Sequence, residues 1–224
     1  MLLLLSNIVF SQSSKGNYNF LDFEQKPYYF GITLATNRSD FIPFRSKAFL
    51  ESTEIDGIES ISGPGFNLGI VTNLKVGQFF DLRLLPTLSF AGRTLEYSLQ
   101  GEQSIETRAI ESVLVEIPFH VRYKSVPFRD KRLFVLAGVK YGFDVASDSR
   151  TRQSDELVKF SPADFSLEVG AGAQFFFPYF IFSPELKVSY GMGNILIYDN
   201  RLEQSTVLEK ILSRTFTLSF HFEG

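Results

Sequence analysis

The stretch VLVEIPFHVRY, residues 113–123, decides the fold, because an apolar side chain occupies every second position. Its odd-numbered positions hold only valine, isoleucine, phenylalanine and tyrosine, whereas its even-numbered positions include Glu116, His120 and Arg122. A period of two is typical of a β-strand with one apolar and one polar face, whereas an amphipathic helix has a period near 3.6. The stretch therefore predicts a strand whose two faces meet different surroundings.

Seven further segments repeat this alternation. They cover residues 28–36, 66–75, 80–90, 133–145, 165–177, 180–190 and 215–222. Segments of roughly 9–13 residues suit strands that cross a bilayer at a tilt. The intervening connections alternate between short turns and long loops, which is typical of an up-and-down barrel. We therefore predict an all-β fold, an eight-stranded antiparallel transmembrane β-barrel of OmpA/OmpX type over residues 28–224, with both termini periplasmic.

The composition excludes several other classes of protein. The chain has 224 residues with 25 Phe, no Cys and no Trp, and its formal net charge is −3. The lack of Cys excludes disulfides and thiolate metal sites, and the weak charge argues against nucleic acid as a partner. No apolar run reaches the roughly 20 residues of a transmembrane helix. The abundant Phe must therefore be placed on strands, with outer-membrane lipid as the expected partner.

The second face of the segments is rich in Gly, Ser and Thr and carries charges of both signs. This mixture suits the narrow interior of an eight-stranded barrel, whereas a lipocalin-like soluble barrel would turn its apolar face inward. Charges in a dry interior need partners, so we expect ion pairs in the lumen and no conducting pore. The candidate lumen network comprises Asp81, Arg83, Glu116, His120, Arg122, Lys140, Asp144, Glu168, Glu185 and Lys187.

Aromatic residues gather near the short turns and the chain termini. On a barrel these positions share the periplasmic rim, where aromatic rings favour the membrane interface. The alternative is aromatic packing in the core of a soluble sandwich. The candidate girdle comprises Tyr28, Phe30, Phe79, Phe80, Tyr123, Phe175, Phe177, Tyr179, Phe180, Phe220 and Phe222.

The N-terminal residues 1–11, MLLLLSNIVFS, are predicted to be a signal peptide cleaved after Ser11. Residues 12–27 would then form a periplasmic segment before the barrel. The alternative is a disordered apolar N-terminus on a cytosolic protein. Export to the outer membrane is the interpretation that agrees with the strand pattern.

The sequence offers little catalytic chemistry. It contains two histidines, His120 and His221, and none of the motifs HExxH, CxxC or GxSxG. Both histidines fall on the predicted lumen face, where a buried structural role is favoured. We therefore expect no enzymatic activity, no catalytic residues, no cofactor, no metal and no small-molecule substrate.

Two connections carry candidate contacts with a partner. Apolar residues lie within the predicted loop 37–65, and residues 205–213 are predicted to form a short amphipathic helix capped by Thr206 and Glu209. This helix could fold back on its own loops or bind a partner. The candidate partner residues are Phe41, Phe44, Phe49, Leu208, Ile211 and Leu212.

Several strand motifs resemble the PorT family. They are the stretches 23–32 (FEQKPYYFGI), 65–70 (GFNLGI), 82–90 (LRLLPTLSF) and 116–119 (EIPF), so the resemblance covers nearly the whole predicted mature chain. PorT-like proteins are small outer-membrane barrels of the Bacteroidetes that are tied to type IX secretion and gliding motility. The resemblance implies a non-enzymatic role in exporting proteins with C-terminal sorting domains, with other secretion components as partners. It supplies no binding residues to transfer.

The resemblance favours a component or an assembly factor of type IX secretion. A structural or adhesive barrel of OmpX type without a secretion role is the first alternative. A lipid-A-modifying barrel enzyme is the second.

Overall fold

The computed structural model describes residues 18–45, 55–99, 105–145, 159–160, 163–194, 196–197 and 208–224. The elements are α1 (Tyr18–Glu24), β1 (Tyr28–Arg45), β2 (Ile55–Val76), β3 (Phe80–Leu84), β4 (Thr87–Leu99), β5 (Ile105–Lys124), β6 (Lys131–Asp144), β7 (Lys159–Phe160), β8 (Ala163–Phe176), β9 (Ile181–Gly191), β10 (Leu196–Ile197) and β11 (Leu208–Glu223). Within these ranges no helix has the length and apolarity needed to cross a bilayer. The predicted signal peptide and Phe49 lie outside the described residues.

The long strands close into a ring of eight. β3 and β4 act as one barrel strand, because both pair with β2 on one side and with β5 on the other. Pro86 interrupts this strand, since proline has no N–H to donate, yet its carbonyl still accepts a hydrogen bond from the Ile70 amide at 3.0 Å. Antiparallel pairing of β11 with β1 completes the ring. The predicted all-β, antiparallel, eight-stranded fold is confirmed.

The register of the ladders fixes the shape of the ring. Successive Cα partners lead from Tyr28 through Leu74, Leu82, Val121, Ala137, Val169, Val188 and Phe216 to Arg38. The path thus returns to β1 ten residues beyond Tyr28, where it began. A staggered barrel of eight strands has a strand tilt of about 40° and an interior just wide enough for side chains.

The strands are longer than the sequence pattern predicts. β1 continues to Arg45 and β2 begins at Ile55, so much of the predicted loop 37–65 is strand. β4 and β5 likewise take up most of the predicted loop 91–112. Phe41 and Phe44 therefore lie on β1 and not in a loop. These extensions form because the neighbouring backbone continues to supply hydrogen-bond partners beyond the end of the apolar pattern.

The predicted helix over residues 205–213 is wrong where the structure describes it. Residues 208–213 belong to β11, so Leu208, Ile211 and Leu212 lie on a strand. The ladder from β1 reaches this far, with Phe41 opposite Ser213 and Pro43 opposite Ile211. Pairing with β1 therefore overrides the local helical pattern of these residues.

Polar residues line the interior and apolar residues cover the outer wall. On β2, for example, Asn67, Val71 and Asn73 are buried, whereas the alternating Leu68 and Ile70 are exposed. The most buried side chains of the described residues include arginine, lysine, histidine and glutamate. This arrangement reverses that of a soluble barrel and suits a wall that faces lipid.

The helix α1 lies across the end of the barrel that carries the short turns. Phe20 and Phe23 are buried against inward-facing residues of this mouth, which include Tyr29, Phe176 and Ile181. The ring of Phe20 meets that of Phe176 edge-on, with centroids 5.0 Å apart. The segment before the barrel thus covers its mouth through two aromatic anchors.

The candidate site in the barrel lumen

The predicted lumen residues lie on the inner faces of five different barrel strands, namely β3, β5, β6, β8 and β9. Nine of them take part in ion pairs or, for His120, in a contact with a glutamate, and Asp144 lies half-buried at the far end of β6. Among these pairs, Lys140 Nζ lies 2.8 Å from Glu116 Oε1. Inward side chains of neighbouring strands meet because a barrel of this stagger leaves little interior space. The charged side chains are therefore described in groups, beginning at the end with the short turns.

The first group surrounds Asp81. Its Oδ2 accepts a hydrogen bond from Arg122 Nη2 at 2.6 Å, and its Oδ1 accepts one from Lys124 Nζ. The same Arg122 nitrogen lies 2.6 Å from the Tyr29 hydroxyl and 3.1 Å from Asn73 Oδ1. Asp81 and Arg122 are fully buried, so this ion pair is desolvated and held by several hydrogen bonds.

Arg83 connects two glutamates across the lumen. Its Nη1 lies 3.4 Å from Glu185 Oε2, and its Nη2 donates to Glu223 Oε1. The side chains of all three residues have no exposure. We call the inward residues Tyr29, Asp81, Arg83, Arg122, Lys124, Glu185 and Glu223 the turn-end cluster.

Further from the turns, Glu168 is the acidic centre of the next group. His120 Nε2 lies 2.6 Å from Glu168 Oε2, and the Ser189 hydroxyl donates to Oε1. Lys140 and Lys187 place their ammonium groups 3.7 and 3.8 Å from the same carboxylate. Glu168 therefore balances the charge of lysines from two neighbouring strands and contacts His120 on a third strand.

A third region of the lumen is held by neutral hydrogen bonds. Asn37 Nδ2 donates to Asn67 Oδ1, and the Ser89 hydroxyl donates to the same oxygen at 3.0 Å. All three side chains are buried on the inner faces of β1, β2 and β4. We call them the amide cluster.

Two glycines make room for the larger lumen side chains. A Cβ on Gly172 would lie 2.5 Å from the Phe134 ring, which itself lies 4.7 Å from the Arg122 guanidinium. A Cβ on Gly138 would lie 2.8 Å from His120 Cδ2 and 2.0 Å from the Phe119 carbonyl oxygen. Gly172 and Gly138 therefore permit the close packing that fills the interior.

Sequence reasoning omitted several members of the turn-end cluster. Lys124 and Glu223 each stand one position beyond the predicted ends of their segments, and Tyr29 lies within the predicted segment 28–36 but not in the candidate lumen network. Extending the two-residue period by one position would have included Lys124 and Glu223. The pairing of specific charges was not visible, because it depends on the register between strands distant in sequence.

The polar interior is closed at the level of the turn-end cluster. Asp81, Arg83 and Arg122 have no accessible surface, although they lie inside the ring. Above them α1 is fixed by polar contacts: the Phe20 amide donates to Asp130 Oδ1 at 2.9 Å, and Lys75 Nζ donates to the Phe23 carbonyl. Side chains and α1 together occupy the mouth at which a water-filled channel would open.

The predicted girdle residues all lie at the end with the short turns, on the outer wall or in the turns themselves. Phe80 packs against Tyr123 and Phe177 stacks on Phe180, with centroids 5.2 and 4.9 Å apart. A second aromatic group near the opposite edge of the apolar band was not predicted. It comprises Phe66, Phe90, Tyr141, Phe143, Phe165, Tyr190 and Phe216. Aromatic residues at both edges of an outward apolar band are typical of barrels in the outer membrane.

The geometry defines the class of protein as an antiparallel barrel that spans the outer membrane. Residues 10–196 match the family model described as outer membrane protein beta-barrel domain. The chain belongs to this family and is located in the outer membrane. No curated protein sequence matches the chain.

Solved structures of other barrels are similar to this one. The outer membrane protein OprG of Pseudomonas aeruginosa is 13% identical, with 88% of this chain and 95% of that chain covered at a TM-score of 0.49. Neisserial surface protein A is 12% identical, with 87% and 95% covered at a TM-score of 0.45. Ail, the attachment invasion locus protein of Yersinia pestis, is 15% identical, with 89% and 100% covered at a TM-score of 0.39.

Proposed function

We propose that this barrel is a non-enzymatic, PorT-type protein that serves type IX secretion as a component or an assembly factor. The observation that carries the mechanistic part of the proposal is the occupied lumen. Arg83 and Arg122 are fully buried within the ring, and α1 covers the mouth beside them. Such a barrel offers no route for a folded cargo, so it acts through its surfaces and loops.

The positions of the histidines support a non-enzymatic role. A barrel that modifies lipid by histidine-assisted chemistry needs its histidine where the substrate can reach it. His120 and His221 are both buried in the lumen, and they are the two histidines of the chain. Neither faces the lipid.

The secretion role rests on the PorT-like motifs, two of which are neighbours in the barrel wall. The LRLLPTLSF stretch spans the interruption between β3 and β4, and EIPF lies on the adjacent β5. The Leu85 amide donates to the Pro118 carbonyl at 3.1 Å, which joins the two proline-containing motifs. The motifs therefore form one structural unit, which supports treating them as a single resemblance.

Deletion of the gene in the native host tests the proposal. We expect cargo with a C-terminal sorting domain to accumulate in the periplasm, and we expect the wild-type gene to restore its release. Complementation with Arg129→Gln, which changes an exposed residue of the β5–β6 turn, is the matched control and should also restore release.

Normal cargo release in the deletion strain would overturn the secretion role. Normal release together with weaker surface attachment would support the adhesive alternative. A changed mass of lipid A would support the enzymatic one.

A further inference from the structure

Two arginines project from the outer wall at the end opposite the short turns. Arg38 lies on β1 and is exposed, and Arg214 lies on the adjacent β11 with 36% of its side chain exposed. Arg38 is the Cα partner of Phe216, so Arg214 is its diagonal neighbour on the same face. The two guanidinium groups therefore share one small area of the outer wall.

The height of this area follows from the strand geometry. Arg38 is ten residues along β1 from Tyr28, which lies at the turn end. Ten residues of a strand tilted by about 40° rise roughly 25 Å, which is the height of the apolar band of an outer-membrane barrel. Between these residues the outward positions of β1 are Phe30, Ile32, Leu34 and Thr36. Arg38 and Arg214 therefore lie where the apolar band ends, at the level of the outer-leaflet headgroups.

Hydrogen bonds hold both guanidinium groups in place. Arg214 donates from Nε and Nη2 to the two carboxylate oxygens of Asp40, at 3.1 and 2.6 Å. Arg38 donates from Nε to the Ser62 hydroxyl at 2.6 Å. Each guanidinium has five N–H donors, so both arginines retain donors for an external acceptor. These hydrogen bonds orient the two guanidinium groups and occupy only some of their N–H donors.

The area also carries excess positive charge. Asp40 forms an ion pair with Arg214, whereas Arg38 has no carboxylate within ion-pair distance among the residues whose side chains the structure describes. One carboxylate therefore balances only one of the two guanidinium charges. Planar guanidinium groups bind phosphate oxygens through paired hydrogen bonds, which makes phosphate the best-matched anion.

We propose that Arg38 and Arg214 form a binding site for a phosphate group of an outer-leaflet glycolipid, with Asp40 and Ser62 as positioning residues. The lipid is the matching source of phosphate because the site opens sideways from the wall, directly above the apolar band. Its acyl chains would lie along exposed apolar residues such as Leu34 and Phe216, while its phosphate meets the arginines. This proposal requires only that the barrel lies in the outer membrane, and it does not depend on the proposed role in secretion.

Lipid binding to the full-length protein in detergent tests this site. The probe is bisphosphorylated lipid A, compared with the same lipid after removal of its phosphates and with inorganic phosphate, and bound molecules are counted by native mass spectrometry. We expect the wild type to bind the phosphorylated lipid at least tenfold more tightly than the dephosphorylated one. The double variant Arg38→Gln/Arg214→Gln should lose this preference.

Arg129→Gln is the matched control, because it removes one exposed arginine at the opposite rim, where the guanidinium lies 5.3 Å from the Phe128 ring. It should keep the full preference for the phosphorylated lipid. The heat-dependent gel shift of folded barrels verifies that each variant is folded. Equal binding of both lipids by the wild type, or an unchanged preference in the double variant, would overturn the site. Binding of inorganic phosphate as tight as that of the lipid would overturn the lipid as its ligand.

Discussion

The turn-end cluster and the amide cluster fill the same lumen by different means. In the turn-end cluster, Asp81 holds two cations and Arg83 holds two carboxylates, all without exposure to solvent or nearly so. In the amide cluster, Asn37, Asn67 and Ser89 are joined by neutral hydrogen bonds. Buried charges that lose a partner cost far more than neutral groups that lose one. We therefore expect the side chains at the mouth with the short turns to contribute more to stability than those of the amide cluster.

The largest effect is expected from Arg83→Ala. This change leaves the carboxylates of Glu185 and Glu223 buried without their guanidinium partner. We expect the free energy of unfolding to fall by about 3–5 kcal/mol, measured by urea titration of the protein in lipid vesicles. Arg129→Ala, which removes an exposed arginine, should stay within about 0.5 kcal/mol of the wild type. Equal losses in the two variants would contradict the assignment of the turn-end cluster.

The next effect concerns α1. Replacing Phe20 and Phe23 together by alanine removes both aromatic anchors from the barrel mouth. We expect the free energy of unfolding to fall by roughly 3 kcal/mol, and not by more, because the helix can detach from the barrel. We also expect faster protease cleavage within residues 18–24. Leu21→Ala is the control on the same helix, since Leu21 is exposed. Cleavage that is no faster in the double variant than in Leu21→Ala would show that the two rings do not hold α1.

A smaller effect is expected from added volume beside the turn-end cluster. In Gly172→Ala the new methyl group would lie 2.5 Å from both the Phe134 ring, which packs against Arg122, and the Pro184 carbonyl oxygen, so these neighbours must shift. We expect a loss of about 1–3 kcal/mol in the same urea titration. Gly142→Ala is the matched control, because the nearest atom to its new Cβ lies 3.7 Å away. If Gly142→Ala were the more damaging of the two, the described packing would be incorrect.

The smallest effect is expected in the amide cluster. Ser89→Ala removes one donor to Asn67 Oδ1, while Asn37 still donates to that oxygen. We expect a loss of about 1 kcal/mol in the urea titration. A loss as large as that of Arg83→Ala would remove the energetic contrast between the two clusters.

The sequence alone predicted the ring of strands because alternation leaves a local signal. The eight segments and the charged second face, with Glu116 and Arg122 as examples, all follow from a period of two. The ends of the strands were harder to predict, because β1 and β11 continue past the apolar pattern wherever the neighbouring strand offers backbone hydrogen-bond partners. The helix predicted over residues 205–213 is wrong at 208–213 for the same reason, because pairing with β1 makes these residues part of β11.

Other parts of the site depend on contacts between distant residues. Arg83 meets Glu223 across 140 positions of sequence, and only the closed register brings them together. The docking of α1 depends on Asp130, a turn residue with φ of 56°. Its carboxylate accepts a hydrogen bond from the Phe20 amide. Neither contact has a local pattern, so neither could be predicted from the sequence.

Conductance in planar lipid bilayers tests the central claim most directly. A barrel with a lumen filled by ion pairs and a mouth covered by α1 should insert without producing steps of current above the background. The folded state of the inserted protein can be verified by its heat-dependent gel shift. A stable conductance of porin size from the wild-type protein would contradict the closed lumen.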